Sequence, residues 1–164
     1  MQSRTLEIFE GMGIIDKVLA KGRIIHQANL YHDNKRLARL LLDELDSPHP
    51  YVLIIPQCQL EALLLEYYSC FGGKVEWQKN LVGLNLEQEG VNVTLECREQ
   101  EEVVFTPWLI GCDGMDSSVR QLLDVPCKQI TSEQEFLLID IHMQWDLAED
   151  EVHQFLSAKG LLAA

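Results

Sequence analysis

Twelve consecutive residues carry the chemistry most open to interpretation: Leu109-Ile110-Gly111-Cys112-Asp113-Gly114-Met115-Asp116-Ser117-Ser118-Val119-Arg120. The apolar run 108–112 reads as a short buried strand. Asp113-Gly114 is a turn pair at its end, and Ser117-Ser118-Val119-Arg120-Gln121-Leu122-Leu123 reads as the first turns of a helix with Asp116 or Ser117 as N-cap. Ligands of open α/β sheets gather just beyond strand C-termini. There Gly114 would let backbone approach a ligand closely, and the Asp113 carboxylate would accept hydrogen bonds from sugar or ribityl hydroxyls. The competing reading is a plain strand-turn-helix in which Asp113 only caps the helix.

The surrounding elements follow from periodicity. Residues 5–19 read as one amphipathic helix, with Leu6, Phe9, Met12, Ile15, Val18 and Leu19 at helical spacing and Gly22 as a stop. Segments 24–31 and 37–42 read as a hairpin turning at Asp33-Asn34, and 51–55 as a short strand. Pro56 opens the clearest helix: Leu60, Leu63, Leu64, Tyr67, Tyr68 and Phe71 line one face, and Gly72-Gly73 ends it. Alternating apolar residues then predict strands at Val75/Trp77, Val82/Leu84/Leu86, Val91/Val93/Leu95 and 103–105, an antiparallel meander. A further strand is expected at 136–143, where Asp140 and His142 share a face that either lines a pocket or meets solvent. The acidic tail from Asp146 reads as helix-like.

Composition excludes several classes. With 13 basic against 26 acidic residues the net charge is −13, which argues against binding nucleic acid or an anionic membrane surface, since both need Lys/Arg patches. No stretch reaches the roughly 18 apolar residues of a membrane span, and the N-terminus does not resemble a signal peptide. Five widely spaced cysteines without Cys-x-x-Cys, and five histidines without metal-ligand spacing, predict no metal site. Reduced thiols and a cytoplasmic location are expected. Gly-x-Ser-x-Gly is absent, so Ser117 and Ser118 do not read as a hydrolase nucleophile.

The twelve-residue segment resembles the Asp-Gly fingerprint of the FAD-dependent aromatic hydroxylases of para-hydroxybenzoate hydroxylase type, apolar-apolar-Gly-Ala-Asp-Gly-x-x-Ser-x-Val-Arg. Cys112 replaces the usual Ala. The resemblance extends to Ser3-Arg4-Thr5-Leu6-Glu7-Ile8-Phe9, similar to the family's Pro-Arg-Thr-Leu-Glu-Ile-Leu, and to Pro56-Gln57-Cys58-Gln59-Leu60-Glu61, similar to its Pro-Gln-x-x-x-Glu. It implies that Asp113 and Gly114 hold the ribityl side of FAD and that Arg4 and Gln57 approach the flavin nucleotide. It also implies that the backbone of Val82 lies beside the adenine, and that Arg120 braces the loop and meets pyridine nucleotide transiently. Each has an ordinary alternative: an Arg4–carboxylate pair, a solvated Gln57 amide, Val82 as strand core.

The resemblance covers the middle of the family. These residues contain no Gly-x-Gly-x-x-Gly, which the family places about thirty residues before the Arg helix to cradle the diphosphate. The later Gly-Asp motif is also absent, and Gly11/Gly13 and Gly72-Gly73 read as helix punctuation. The expected fold is α+β, derived from α/β. An incomplete Rossmann-like FAD half with its meander (1–23 and 51–126) interleaves with part of a substrate-domain sheet (24–50 and 127–164). The implied activity is NAD(P)H-using hydroxylation of a small aromatic substrate with FAD as cofactor, absent from these residues alone. Complementary segments or a homo-oligomer would supply the rest. The alternative is a non-catalytic scaffold or interaction module that has lost flavin binding.

Overall fold

The computed structural model describes residues 1–33, 35–98, 100–128, 135–142 and 144–164. They form a mixed α/β arrangement with three small sheets and fall into two compact units, Met1–Lys74 with His142–Ala164, and Val75–Ile141.

The first unit begins with α1 (Ser3–Gly11) and α2 (Ile15–Leu19). The single helix expected over 5–19 is broken at Gly13, whose φ is +72°. The break is a Schellman cap: Ile14 N–H bonds the Phe9 carbonyl at 3.0 Å and Gly13 N–H bonds that of Glu10 at 2.9 Å. The cap satisfies carbonyls at the helix end and turns Ile14 back onto Phe9, so both enter one core with Leu6, Val18, Leu53 and Leu63. Leu53 comes from β4 (Val52–Ile54), which pairs antiparallel with β1 (Arg23–Ile25). Leu63 comes from α3 (Gln57–Cys70), which starts at Pro56 and ends at Gly72-Gly73 as expected. At that end Gly73 N–H bonds the Tyr68 carbonyl, and Gly73 lies so close to the Tyr68 ring that a Cβ would stand 2.3 Å from it.

The hairpin forms from β2 (Gln27–His32) and β3 (Lys35–Leu41). Asp33 sits in the turn at φ +46°, while Asn34 lies outside the described residues. The tail departs from expectation. It is not helical but makes β8 (Glu151–Ser157) and β9 (Gly160–Ala163). Val152 and Phe155 favour a strand, and the parallel pairing with β2 fixes it. The resulting sheet has the order β3-β2-β8-β9, with β2 and β8 parallel and Asn29 opposite His153.

The second unit is built on the antiparallel meander β5 (Asn80–Leu86), β6 (Val91–Cys97) and β7 (Gln100–Thr106), as the alternation predicts. No strand forms at Val75/Trp77, where Gln78 takes φ +61°. The run 108–112 is not the buried strand expected either: Trp108 and Ile110 are 85% and 82% exposed. An apolar run becomes a strand only against a hydrogen-bonding neighbour, and among the described residues none pairs with it. Residues 136–142 are exposed and, among the described residues, form no strand, and Met143 lies outside the described residues. After the Asp-Gly turn comes α4 (Ser118–Leu122), which packs on β5.

Candidate functional site

Asp113 is exposed, yet its carboxylate is held on both sides. Ser117 Oγ donates to Oδ1 at 2.5 Å, and the Val119 N–H donates to Oδ2 at 3.1 Å. These two bonds, that from Ser117 foremost, hold the Asp113 carboxyl below the usual aspartate range because both favour the ionised form. Of the two expected caps, Ser117 is the one used: its Oγ also accepts from the Arg120 N–H at 3.1 Å. The Arg120 guanidinium reaches back to the Met115 carbonyl and closes the loop. Asp113, Ser117 and Arg120 therefore lock one turn around Gly114.

Gly114 takes φ +79°, and a Cβ placed there would meet nothing within 4 Å. Glycine is needed for the backbone conformation, and the space beside it is open. Gly111 differs: a Cβ there would lie 3.0 Å from the Val119 side chain, so its small size serves packing of the run against α4. Cys112, where the fingerprint usually has Ala, is exposed and free.

Val82 lies on β5, where the register with β6 slips between Leu81 and Gly83: Leu81 faces Leu95, Gly83 faces Thr94, and Val82 has no partner. Such a bulge leaves one residue outside the ladder. Its side chain is half-exposed rather than strand core.

Arg4 and Gln57 belong to the first unit. Arg4, on α1, is 83% exposed and pairs with Glu7 at 3.0 Å. Glu7 is in turn held by Ser47 Oγ at 2.9 Å. Arg4 and then Ser47 draw the Glu7 carboxyl below its ordinary range. The same loop carries buried His49, whose ring nitrogens face Tyr51 Oη at 3.0 Å and Glu10 Oε2 at 3.1 Å. Burial is the main reason the Tyr51 hydroxyl is pushed above its usual range. Gln57 Nε2 donates to Glu61 Oε1 at 2.8 Å. Gln57 also stands at the rim of an open groove of about 480 Å³ lined by Met1, Leu53, Ile55, Leu60 and Leu64.

The six sequence-derived residues thus form two groups. Asp113, Gly114 and Arg120 share one loop, with Val82 on the strand under α4; Arg4 and Gln57 stand on the first two long helices, each bonded to an acidic neighbour. Ser47, which holds Glu7 and through it the Arg4 head group, carried no sequence signal, because its contact with Glu7 spans forty residues.

The fit to a flavin nucleotide rests on donor chemistry. Asp113 uses one lone pair on each oxygen and retains acceptor capacity for hydroxyls. Gly114 is open to close approach. The exposed guanidinium of Arg4 suits a phosphate, and the Gln57 amide stands beside an apolar groove that suits a flat ring. These groups fit the ribityl and nucleotide parts of FAD.

Residues 1–160 match the family of the FAD binding domain, and the chain belongs to that family. It is 32% identical over 140 residues to a rifampicin monooxygenase of Streptomyces venezuelae, covering 85% of this chain and 28% of that protein. It is 29% identical over 159 residues to a 6-methylpretetramide 4-monooxygenase of Streptomyces rimosus, covering 96% and 28%. Among solved structures it resembles the anhydrotetracycline hydroxylase OxyS of Streptomyces rimosus, with TM-score 0.65, 27% identity, and 76% and 25% coverage. It shares the fold of the p-nitrophenol 4-monooxygenase PnpA of Pseudomonas putida, with TM-score 0.75, 16% identity, and 80% and 34% coverage. The chain spans between a quarter and a third of the length of these relatives. Among the described residues no helix is long and apolar enough to cross a membrane.

Proposed function

We propose that this chain is the middle portion of an FAD-dependent, NAD(P)H-using monooxygenase that hydroxylates a small aromatic or phenolic compound. The observation that carries the reading is the locked turn at Asp113-Gly114: an ionised carboxylate with acceptor capacity to spare beside a glycine whose Cβ side is open. When bound, FAD supplies the redox chemistry that activates oxygen for transfer to the ring. The residues of this chain bind and orient it. Asp113 accepts from ribityl hydroxyls, with Gly114 giving backbone access; Arg4 neutralises phosphate charge; Gln57 presents its amide to the flavin edge. The Val82 backbone, free of the ladder, faces the adenine, and Arg120 keeps the loop closed and offers its charge to the pyridine nucleotide.

The organisation follows the same reading. Segments 1–23 and 51–126 belong to the FAD side, and 24–50 and 127–164 to the substrate side. That the four-stranded sheet draws its strands only from 27–41 and 151–163 supports this division.

These residues contain no Gly-x-Gly-x-x-Gly cradle, and a few hydrogen bonds worth about 0.5–1.5 kcal/mol each do not replace it. The test is a flavin-fluorescence titration of the 164-residue chain and of the same chain fused behind a Gly-x-Gly-x-x-Gly βαβ unit. The expected result is no retention by the first and saturable FAD binding by the second, lost in Asp113→Ala. Saturable binding unaffected by Asp113→Ala removes the carboxylate from the site. No binding by either leaves the non-catalytic scaffold as the better reading.

A further inference from the structure

Arg4 and Glu7 form an exposed ion pair three residues apart on α1. Such a pair ordinarily holds little, because two long side chains must be ordered to make it. Here one of the two is ordered already. Ser47 Oγ donates to Glu7 Oε1 at 2.9 Å, which leaves Oε2 for Arg4 Nη1 at 3.0 Å. Ser47 is itself aimed: its Oγ accepts from the His49 N–H at 3.1 Å, so the hydroxyl proton is turned toward the carboxylate.

The segment that carries Ser47 is stiff and is fastened to the same helix. In Ser47-Pro48-His49-Pro50 each proline has a fixed φ and restricts the residue before it, so four successive backbones are confined. The Tyr51 N–H closes the bend on the His49 carbonyl at 2.8 Å. The buried His49 ring turns Nε2 to Glu10 Oε2 and Nδ1 to Tyr51 Oη. A carboxylate only accepts, so Nε2 carries a proton. Glu7 and Glu10 are three residues apart and share one face of α1. The loop therefore grips that face twice, and it joins the end of β3 to the start of β4. At the far end of the network the Arg4 head group gives Glu7 one of its five N–H donors and stays 83% exposed. A guanidinium that is confined yet open loses less freedom when it meets an anion.

We propose that Ser47 and His49 are positioning residues for Arg4: the loop holds Glu7, Glu7 holds the guanidinium, and Arg4 meets a diphosphate already oriented. That the diphosphate is the one in FAD rests on the reading of Arg4 above; the restraint itself rests on the Ser47–Glu7 bond. Neither loop residue touches the ligand. Each acts through the carboxylate of α1.

The test has two arms. The first is the ¹H–¹⁵N heteronuclear NOE of the Arg4 Nε–H in the 164-residue chain without flavin. Ser47→Ala should lower it, and Ser47→Thr, which keeps the hydroxyl and suits the extended backbone before a proline, should restore it. His49→Phe, which fills the ring's place without its two bonds, should lower it as well. An Arg4 NOE equal in the native chain, Ser47→Ala and His49→Phe overturns the proposal; should His49→Phe not fold, the two Ser47 variants decide. The second arm is FAD titration of the fused chain. Ser47→Ala should raise the dissociation constant about threefold and should have no effect once Arg4→Ala is present. A rise of the same size in the Arg4→Ala background means that Ser47 acts through the fold at large, and also overturns the proposal. If Arg4→Ala alone leaves FAD affinity unchanged, the cofactor reading of Arg4 falls and the positioning of FAD with it. An unchanged NOE sinks the restraint alone, so the two failures are distinguishable.

Discussion

Ser117 Oγ sits between Asp113 Oδ1, to which it donates at 2.5 Å, and the Arg120 N–H, from which it accepts at 3.1 Å. One buried hydroxyl thereby joins the end of the apolar run to the first turn of α4. The carboxylate most suited to a ligand is also the one that organises its own loop, so the two readings of Asp113 are compatible.

The pH dependence of this turn follows from the same bonds. The folded state lowers the Asp113 pKa below its ordinary value of 3.8. The stabilisation is therefore fully present above that value and is lost as pH falls through the depressed folded one. NMR titration of the Asp113 carboxyl carbon should give a midpoint below 3.8, and Ser117→Ala should move it upward. A native midpoint at or above the ordinary value contradicts the geometry. Loss of the cap should also cost about 1 kcal/mol, read by urea unfolding.

Gly114→Ala separates backbone strain from collision. No atom opposes the new methyl group, so the cost is the positive φ alone, about 1–2 kcal/mol. In the fused, FAD-binding chain the same methyl occupies the open space and should weaken FAD beyond what unfolding explains. Equal FAD affinity in Gly114→Ala would exclude backbone approach there.

Arg4 is held by Glu7, and Glu7 by Ser47. Arg4→Ala in the fused chain should raise the FAD dissociation constant roughly tenfold, the loss of one charge-assisted bond. Glu7→Gln should have a smaller effect, since the guanidinium remains but is less confined. Unchanged affinity in Arg4→Ala would leave Arg4 as an ordinary helix ion pair.

Leu53 is fully buried and joins β4 to both α1 and α3. Leu53→Ala should destabilise the first unit by about 2–5 kcal/mol, as a large-to-small change in a packed core does. Hydrogen exchange should show the loss across Met1–Lys74, while the β5–β7 meander keeps its protection.

Local signals carried far in this sequence. The α3 helix is legible because Pro56, an apolar face and Gly72-Gly73 agree, and β5 and β6 because their apolar residues alternate. The sequence offers Asp116 and Ser117 alike as the cap of α4, and only the Ser117 bond to the Arg120 N–H decides between them. Gly13 is a single glycine within an amphipathic pattern, which periodicity alone does not mark as a stop, yet its left-handed conformation ends α1. The tail carries no clear period, and its strand character comes from pairing with the distant β2. The grip of His49 on Glu10 could not be read at all, since no sequence pattern joins a loop to a helix 39 residues before it. The buried strand expected at 108–112 failed for the complementary reason, since periodicity reports apolarity but not whether a neighbour is there to bond.

The parallel pairing of β2 with β8 also sets an order of assembly. β2 is made early and its partner only near Glu151, so Val75–Ile141 must emerge between them. The meander, whose contacts are local, can form while β2 still waits, and ring closure of the chain is the slow event. A truncation before Glu151 should then leave the hairpin with a bare edge, prone to self-association during synthesis.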